Sequence, residues 1–255
     1  MNLHSQRNSP VGLECSERSS LVRSNGPIFD PFLVLRIFNG FDVALSSCAL
    51  IIDGMAIRKH VDYDPHKKEM IGYVDMGAGQ EETIAKEALV IMAVGLCHRW
   101  KAPVAYYFTG GVNAATQKEL VVASIEALYA SGLAVHSLTM DGHATNVSMA
   151  KLFGCDLDAS KQQMKTWFTM PGIGNRIFIV FDSCHMLKLL RNALHEYGVL
   201  ISPNGMIRWD VFVKLHNLQD DIGLRLANKI TKTHVEYENQ KMKVSLRFIS
   251  FTFLP

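Results

Sequence analysis

Asp53 and Asp141 are the residues of this sequence whose surroundings best suit chemistry. Each ends an apolar run with the composition of a buried β-strand, over 44–53 and 132–141, and each is followed by glycine. A carboxylate at the end of a buried strand is held rigidly where the chain opens to solvent. Two of them on neighbouring strands grip divalent cations for phosphoryl chemistry. Asp-Gly is also ordinary turn chemistry, so one strand-end aspartate carries little weight, while two in a mixed α/β pattern raise a nuclease or transposase reading. Asp182 ends a third apolar run and reads two ways. It is either a third metal ligand or the cap of the helix expected over 183–197, whose first backbone N–H groups its side chain is placed to accept. His185, Lys188 and Arg191 follow on that helix. Lys188 and Arg191, three apart, share a face that either touches phosphate or is simply solvated. His143 and Asn146 lie close after Asp141 and suit a substrate phosphate or the ordering of a metal ligand, whereas His136, inside a strand, reads as a core histidine.

The elements that must position these groups alternate between strand and helix. The first strand runs to about Asp53 and extends toward Ile57. A turn is expected over 63–68, and an extended piece over 70–76. The apolar segment 88–96 is ambiguous between helix and strand; with Pro103 as punctuation and a strand over 104–108, it is best read as a strand-turn-strand unit. A helix over 113–129 is expected, capped by Asn113 and ended by Gly132. A short helix follows over 146–153, then a strand over 177–181. Trp167 and Phe168 read as core. Beyond the turn Ser202-Pro203-Asn204-Gly205 the pattern becomes helical, over 209–217 and 223–230. The order fits an α/β fold with a mixed sheet flanked by helices.

Composition bounds the rest. With 255 residues, 48% hydrophobic and 20% charged, the chain has globular values and enough length for a sizeable core. A net charge of +2 gives no independent support for nucleic-acid binding. Cys15, Cys48, Cys97, Cys155 and Cys184 show no zinc-type spacing and read as reduced intracellular thiols. No apolar run suits a membrane span, so no membrane is expected. Residues 1–27 read as a disordered, Ser-rich segment, and 28–41 as a short packing helix.

Several strings in one order make the pattern specific: Ile51-Ile52-Asp53-Gly54-Met55-Ala56-Ile57-Arg58-Lys59-His60, Ile71-Gly72-Tyr73-Val74-Asp75, Thr139-Met140-Asp141-Gly142, Lys165-Thr166-Trp167-Phe168 and Phe181-Asp182-Ser183-Cys184-His185. Over roughly residues 42–245 the sequence resembles the catalytic region of P-element-type transposases, whose relatives include THAP-domain-containing transposases. The resemblance implies an RNase H-like fold with a DDE-type site for Mg²⁺ or Mn²⁺, interrupted by a GTP-binding insertion. It implies a core over 28–198 and the start of the insertion over 199–255. It also implies nuclear action on DNA transposon ends, and assembly as a homo-oligomer or with a full-length transposase. Asp53 and Asp141 match the first two catalytic carboxylates. Lys229, Lys241, Lys243 and Val244 match positions near the family's guanine-nucleotide site, although no Walker-type loop is present and a basic exposed helix is the plainer reading.

The family's third carboxylate, a Glu, falls after the inserted domain, beyond residue 255. The THAP zinc-binding framework is missing as well. The chain is therefore expected to be a truncated transposase piece, inactive alone. Two alternatives stand beside this: a domesticated DNA- or protein-binding regulator, and a metal-dependent nuclease with Asp182 as third ligand.

Overall fold

A computed structural model of the chain describes residues 47–66, 68–77, 79–97, 99–223 and 230–236. The expectations for 1–27 and 28–41, and for Lys229, Lys241, Lys243 and Val244, lie outside these residues.

The chain begins with β1 (Ser47–Ala56), in which Cys48, Leu50 and Ile52 are buried while the intervening residues face the other way. That alternation is the period-two signature of a strand. Two short strands, β2 (Asp62–Asp64) and β3 (Glu69–Ile71), form a small hairpin, followed by β4 (Tyr73–Asp75) and β5 (Gln80–Ile84). The single extended piece expected over 70–76 is broken at Gly72. Its φ is +111°, and a Cβ there would lie 2.0 Å from the His60 carbonyl oxygen, so only glycine fits. β5 has no counterpart among the sequence expectations, because Gln80-Glu81-Glu82-Thr83-Ile84 is exposed throughout. It is a charged edge strand, which needs no apolar face.

The ambiguous segment 88–96 resolves as strand β6 (Glu87–Gly95), antiparallel to β7 (Lys101–Thr109). Pro103 does not end the strand; it sits inside β7. The register slips between Ile91 and Met92 at that point, and such an irregularity accommodates a residue without an N–H to donate.

Helix α1 (Ala114–Ala130) starts as expected, with the Asn113 side chain accepting the Thr116 N–H at 2.9 Å. Gly132, at φ +82°, turns the chain out of it and into β8 (Ala134–Met140). Helix α2 (Ala144–Leu152), β9 (Trp167–Met170) and β10 (Ile173–Phe181) complete the layer. Among the described residues these strands form an eight-stranded sheet in the order β5-β4-β7-β6-β1-β8-β10-β9. β1 and β10 both run parallel to β8, and the hairpins are antiparallel. Val121, Ile125 and Leu128 of α1 and Met149 of α2 join Leu50, Ile52, Leu138, Met140 and Ile177 in one core. Phe153 stacks on Phe168 at 4.1 Å, which bears out the core reading of Phe168.

Helix α3 (Ser183–Tyr197) leads to a hairpin, β11 (Val199–Ser202) and β12 (Gly205–Arg208), and then to α4 (Asp210–Ile222) and the one-turn α5 (Lys232–Val235). α4 extends past the expected residue 217, and the helix expected over 223–230 falls largely outside the described residues. Leu194 and Trp209 centre a second small core with Leu200, Ile207, Phe212 and Val213.

Candidate functional site

The parallel strands bring the aspartates to one edge of the sheet. β1 and β8 pair up to Ile51 opposite Thr139, and β8 and β10 up to Met140 opposite Phe181. Carried on, this register sets Asp53, Asp141 and Asp182 level with one another across three adjacent strands. Asp53 lies inside β1, in keeping with the extension toward Ile57 read from the sequence. β1 runs on to Ala56, paired only with β6 beyond Ile51, so Asp53 stands where β1 and β8 part. Parting strands make a crevice, and ligands of open α/β sheets bind at such carboxyl ends.

Two clefts meet at the pair. One, of about 520 Å³, is lined by Asp53, Gln117, Asp141, His143 and Asn146; the other, of about 400 Å³, by Asp53, Asp141, Asp182, His185 and Lys188. Crowding by the cleft walls holds the Asp53 carboxyl above its ordinary value of 3.8, and the Asp141 charge adds to this. The Gly54 N–H opposes it, Asp182 raises it further, and His185 lowers it. A carboxylate that resists ionisation beside another is a place where a cation would be welcome.

Asp141 is held more firmly. Its Oδ1 accepts the His143 N–H at 2.9 Å and the Asn146 Nδ2–H at 2.6 Å. Asn146 in turn accepts from Gln117 Nε2 at 2.5 Å. Gln117 was missed in the sequence, where nothing but its place near the start of α1 marked it. His143 caps α2, its Nδ1 accepting the Thr145 N–H at 3.4 Å.

Asp182 caps α3. One of its oxygens accepts the Cys184 N–H and the other the His185 N–H, both at 3.1 Å. Its own N–H donates to the Met140 carbonyl at 2.8 Å, which ties the end of β10 to that of β8. Lys188 and Arg191 do not lie on a solvated face: they are 7% and 1% exposed. Their side of α3 turns inward with Leu194, and Arg191 Nη2 donates to Asn192 Oδ1 at 2.9 Å. Lys188 remains a wall of the smaller cleft, and His136 is half-buried in β8.

Paired carboxylate oxygens are hard donors of the kind Mg²⁺ and Mn²⁺ prefer. Asp53 and Asp141 fit such an ion as two of its ligands. Among the described residues no group of three His, Cys, Asp or Glu side chains converges to hold a metal unaided.

Comparison with known proteins places this site in context. The family model described as TNP-like, RNase H N-terminal domain matches residues 35–154, and that described as TNP-like, GTP-binding insertion domain matches 184–251. The human DNA transposase THAP9 is 32% identical over 226 residues, covering 87% of this chain and 24% of that protein. The Transposable element P transposase of Drosophila melanogaster is 24% identical over 221 residues, covering 84% of this chain and 26% of that protein. The structure of the Drosophila P element transposase strand transfer complex superposes with a TM-score of 0.67 at 22% identity, over 88% of this chain and 46% of that one, and shows a shared fold. The chain spans about a quarter of the length of the curated relatives it matches.

Proposed function

Because the chain belongs to the P-element-type transposase family and has its RNase H-like fold, we propose that it carries part of a DDE-type site for metal-dependent DNA strand cleavage and transfer. The observation that carries this reading is the meeting of Asp53 and Asp141 where the parallel pairing of β1 and β8 ends, with charge repulsion between them. Both residues serve as metal-holding carboxylates. When bound, a divalent cation supplies electrostatic stabilisation of the attacking and leaving oxygens of a phosphodiester.

The chain's own residues do the rest. The sheet fixes the spacing of the two carboxylates, and Asn146 with the His143 N–H fixes the rotation of Asp141. Lys188 and His185 take the part of phosphate contacts in this reading, supported by their lining the adjoining cleft. DNA, nuclear action and assembly with itself or with a longer transposase come to this reading from the relatives. So does GTP, through the insertion-domain match. The boundary between core and insertion near residue 199 is also part of this reading, although the insertion-domain match from residue 184 and the small core joining Leu194 of α3 to Trp209 favour an earlier one, ahead of α3.

A nuclease using Asp182 as third ligand draws less support, because both Asp182 oxygens already accept helix N–H groups.

Mn²⁺ titration of the purified chain tests the metal reading. Saturable binding is expected, lost in Asp53→Asn and in Asp141→Asn. Wild-type binding that survives both substitutions would sink it.

A further inference from the structure

We propose that Gln117 and Asn146 form a positioning relay that sets the rotation of the Asp141 carboxylate and leaves its Oδ2 as the oxygen presented to a divalent cation. This rests on the reading of Asp141 as a metal-holding residue.

Gln117 is 4% exposed and Asn146 9%, and buried amides keep their orientation only when their donors and acceptors are matched. An ionised carboxylate accepts and never donates. Asn146 must therefore turn its NH₂ toward Asp141, as the 2.6 Å contact to Oδ1 has it. Its own Oδ1 then faces α1, where it needs a donor, and Gln117 Nε2 supplies one at 2.5 Å. Each link fixes the next. A reversed Asn146 amide would set oxygen against oxygen at Asp141 and NH₂ against NH₂ at Gln117.

The His143 N–H at 2.9 Å and Asn146 Nδ2 both point at Oδ1, so these two donors occupy one oxygen and leave the other for a ligand. The three residues come from the start of α1, the start of α2 and the end of β8, so the relay also locks both helices to the strand that carries the carboxylate. Gln117, Asp141 and Asn146 line one cleft with Asp53, which places the relay beside the metal position rather than remote from it. A residue that orients a ligating carboxylate in this way changes metal affinity by about 10- to 100-fold when removed.

The test is Mn²⁺ affinity of the full chain, read as free Mn²⁺ by electron paramagnetic resonance. It compares wild type, Gln117→Met, Asn146→Leu, the double variant and Asp141→Asn, with thermal melting in EDTA for each. Asn146→Leu is expected to weaken binding about 10-fold. Gln117→Met should shift it in the same direction by less, and the double variant should match Asn146→Leu alone, because Gln117 acts only through Asn146. A merely structural role would lower melting temperatures and leave affinity in place.

Should Asn146→Leu not fold, Asn146→Ala takes its place. Affinities within twofold of wild type for both single variants, or losses that add in the double, overturn the relay while Asp141→Asn still abolishes binding. Absence of Mn²⁺ binding by the wild-type chain overturns the relay together with the metal reading.

Discussion

The two aspartates that meet in the cleft are supported in opposite ways. Asp141 sits at the end of β8 with its Oδ1 held by the His143 N–H and by Asn146, and Asn146 is braced by Gln117. Asp53 sits in β1 where its partner strand has left it, crowded by the cleft and repelled by Asp141, with the Gly54 N–H and His185 in opposition. One carboxylate is anchored; the other is held under electrostatic load. Such load on a carboxylate is common at functional sites and accords with the metal role proposed for Asp53.

The comparison breaks most decisively at the metal. Asp53→Asn and Asp141→Asn should each lower Mn²⁺ affinity by more than the roughly 10- to 100-fold expected for a supporting residue. Titration showing a loss in only one of them would mean that the two carboxylates do not share an ion.

Stability should separate the pair by sign. Asp141→Leu leaves the Asn146 amide with an unmet donor and is expected to cost about 1–3 kcal/mol in EDTA, read by urea denaturation. A neutral result would mean that Asp141 is not anchored as the hydrogen bonds indicate.

Asp53→Asn should do the reverse. With its folded pKa above the ordinary 3.8, Asp53 binds more protons in the folded than in the unfolded chain between those two values. Its contribution is therefore fully present below about pH 4 and is lost as pH rises through the raised value. Above the raised value and without metal, Asp53 burdens the fold, so Asp53→Asn should raise the melting temperature there, with the gain fading as pH falls toward the ordinary 3.8. A gain that grows on acidification would contradict this.

The smallest effect is expected at Asp182. Asparagine keeps only one of the two oxygens that accept helix N–H groups, so Asp182→Asn should cost about 1 kcal/mol of stability and leave Mn²⁺ affinity nearly unchanged. A loss as large as that of Asp53→Asn would make Asp182 a third ligand.

Much of the site was legible because it sits where strong local patterns end. The alternation of Cys48, Leu50 and Ile52 located β1 and hence Asp53, and the turn chemistry at Gly132 located β8 and hence Asp141. For Asp182 the sequence offered the cap of a helix of the expected extent, Ser183–Tyr197, beside a ligand role, and the hydrogen bonds to the Cys184 and His185 N–H groups show the cap. The edge strand β5 was hidden because an exposed, charged strand has no apolar period to show. The course of β7 through Pro103 was hidden because the slip in register that tolerates it belongs to the pairing with β6 and not to either segment alone. The burial of Lys188 and Arg191 was hidden for a related reason: two cations three apart mark a shared helix face, but the direction in which that face turns is set by what packs around it.

The sequence by itself determined the strongly patterned elements, β1, α1, β8 and α3, and the carboxylates that close their apolar runs, because period, caps and turn residues are local properties of the chain. Only the tertiary structure decided that β1 and β8 part at Asp53, that three aspartates stand level, and that Gln117 reaches Asp141 through Asn146. Those facts depend on strand register and on the docking of helices against the sheet, which are settled by contacts between residues distant in sequence.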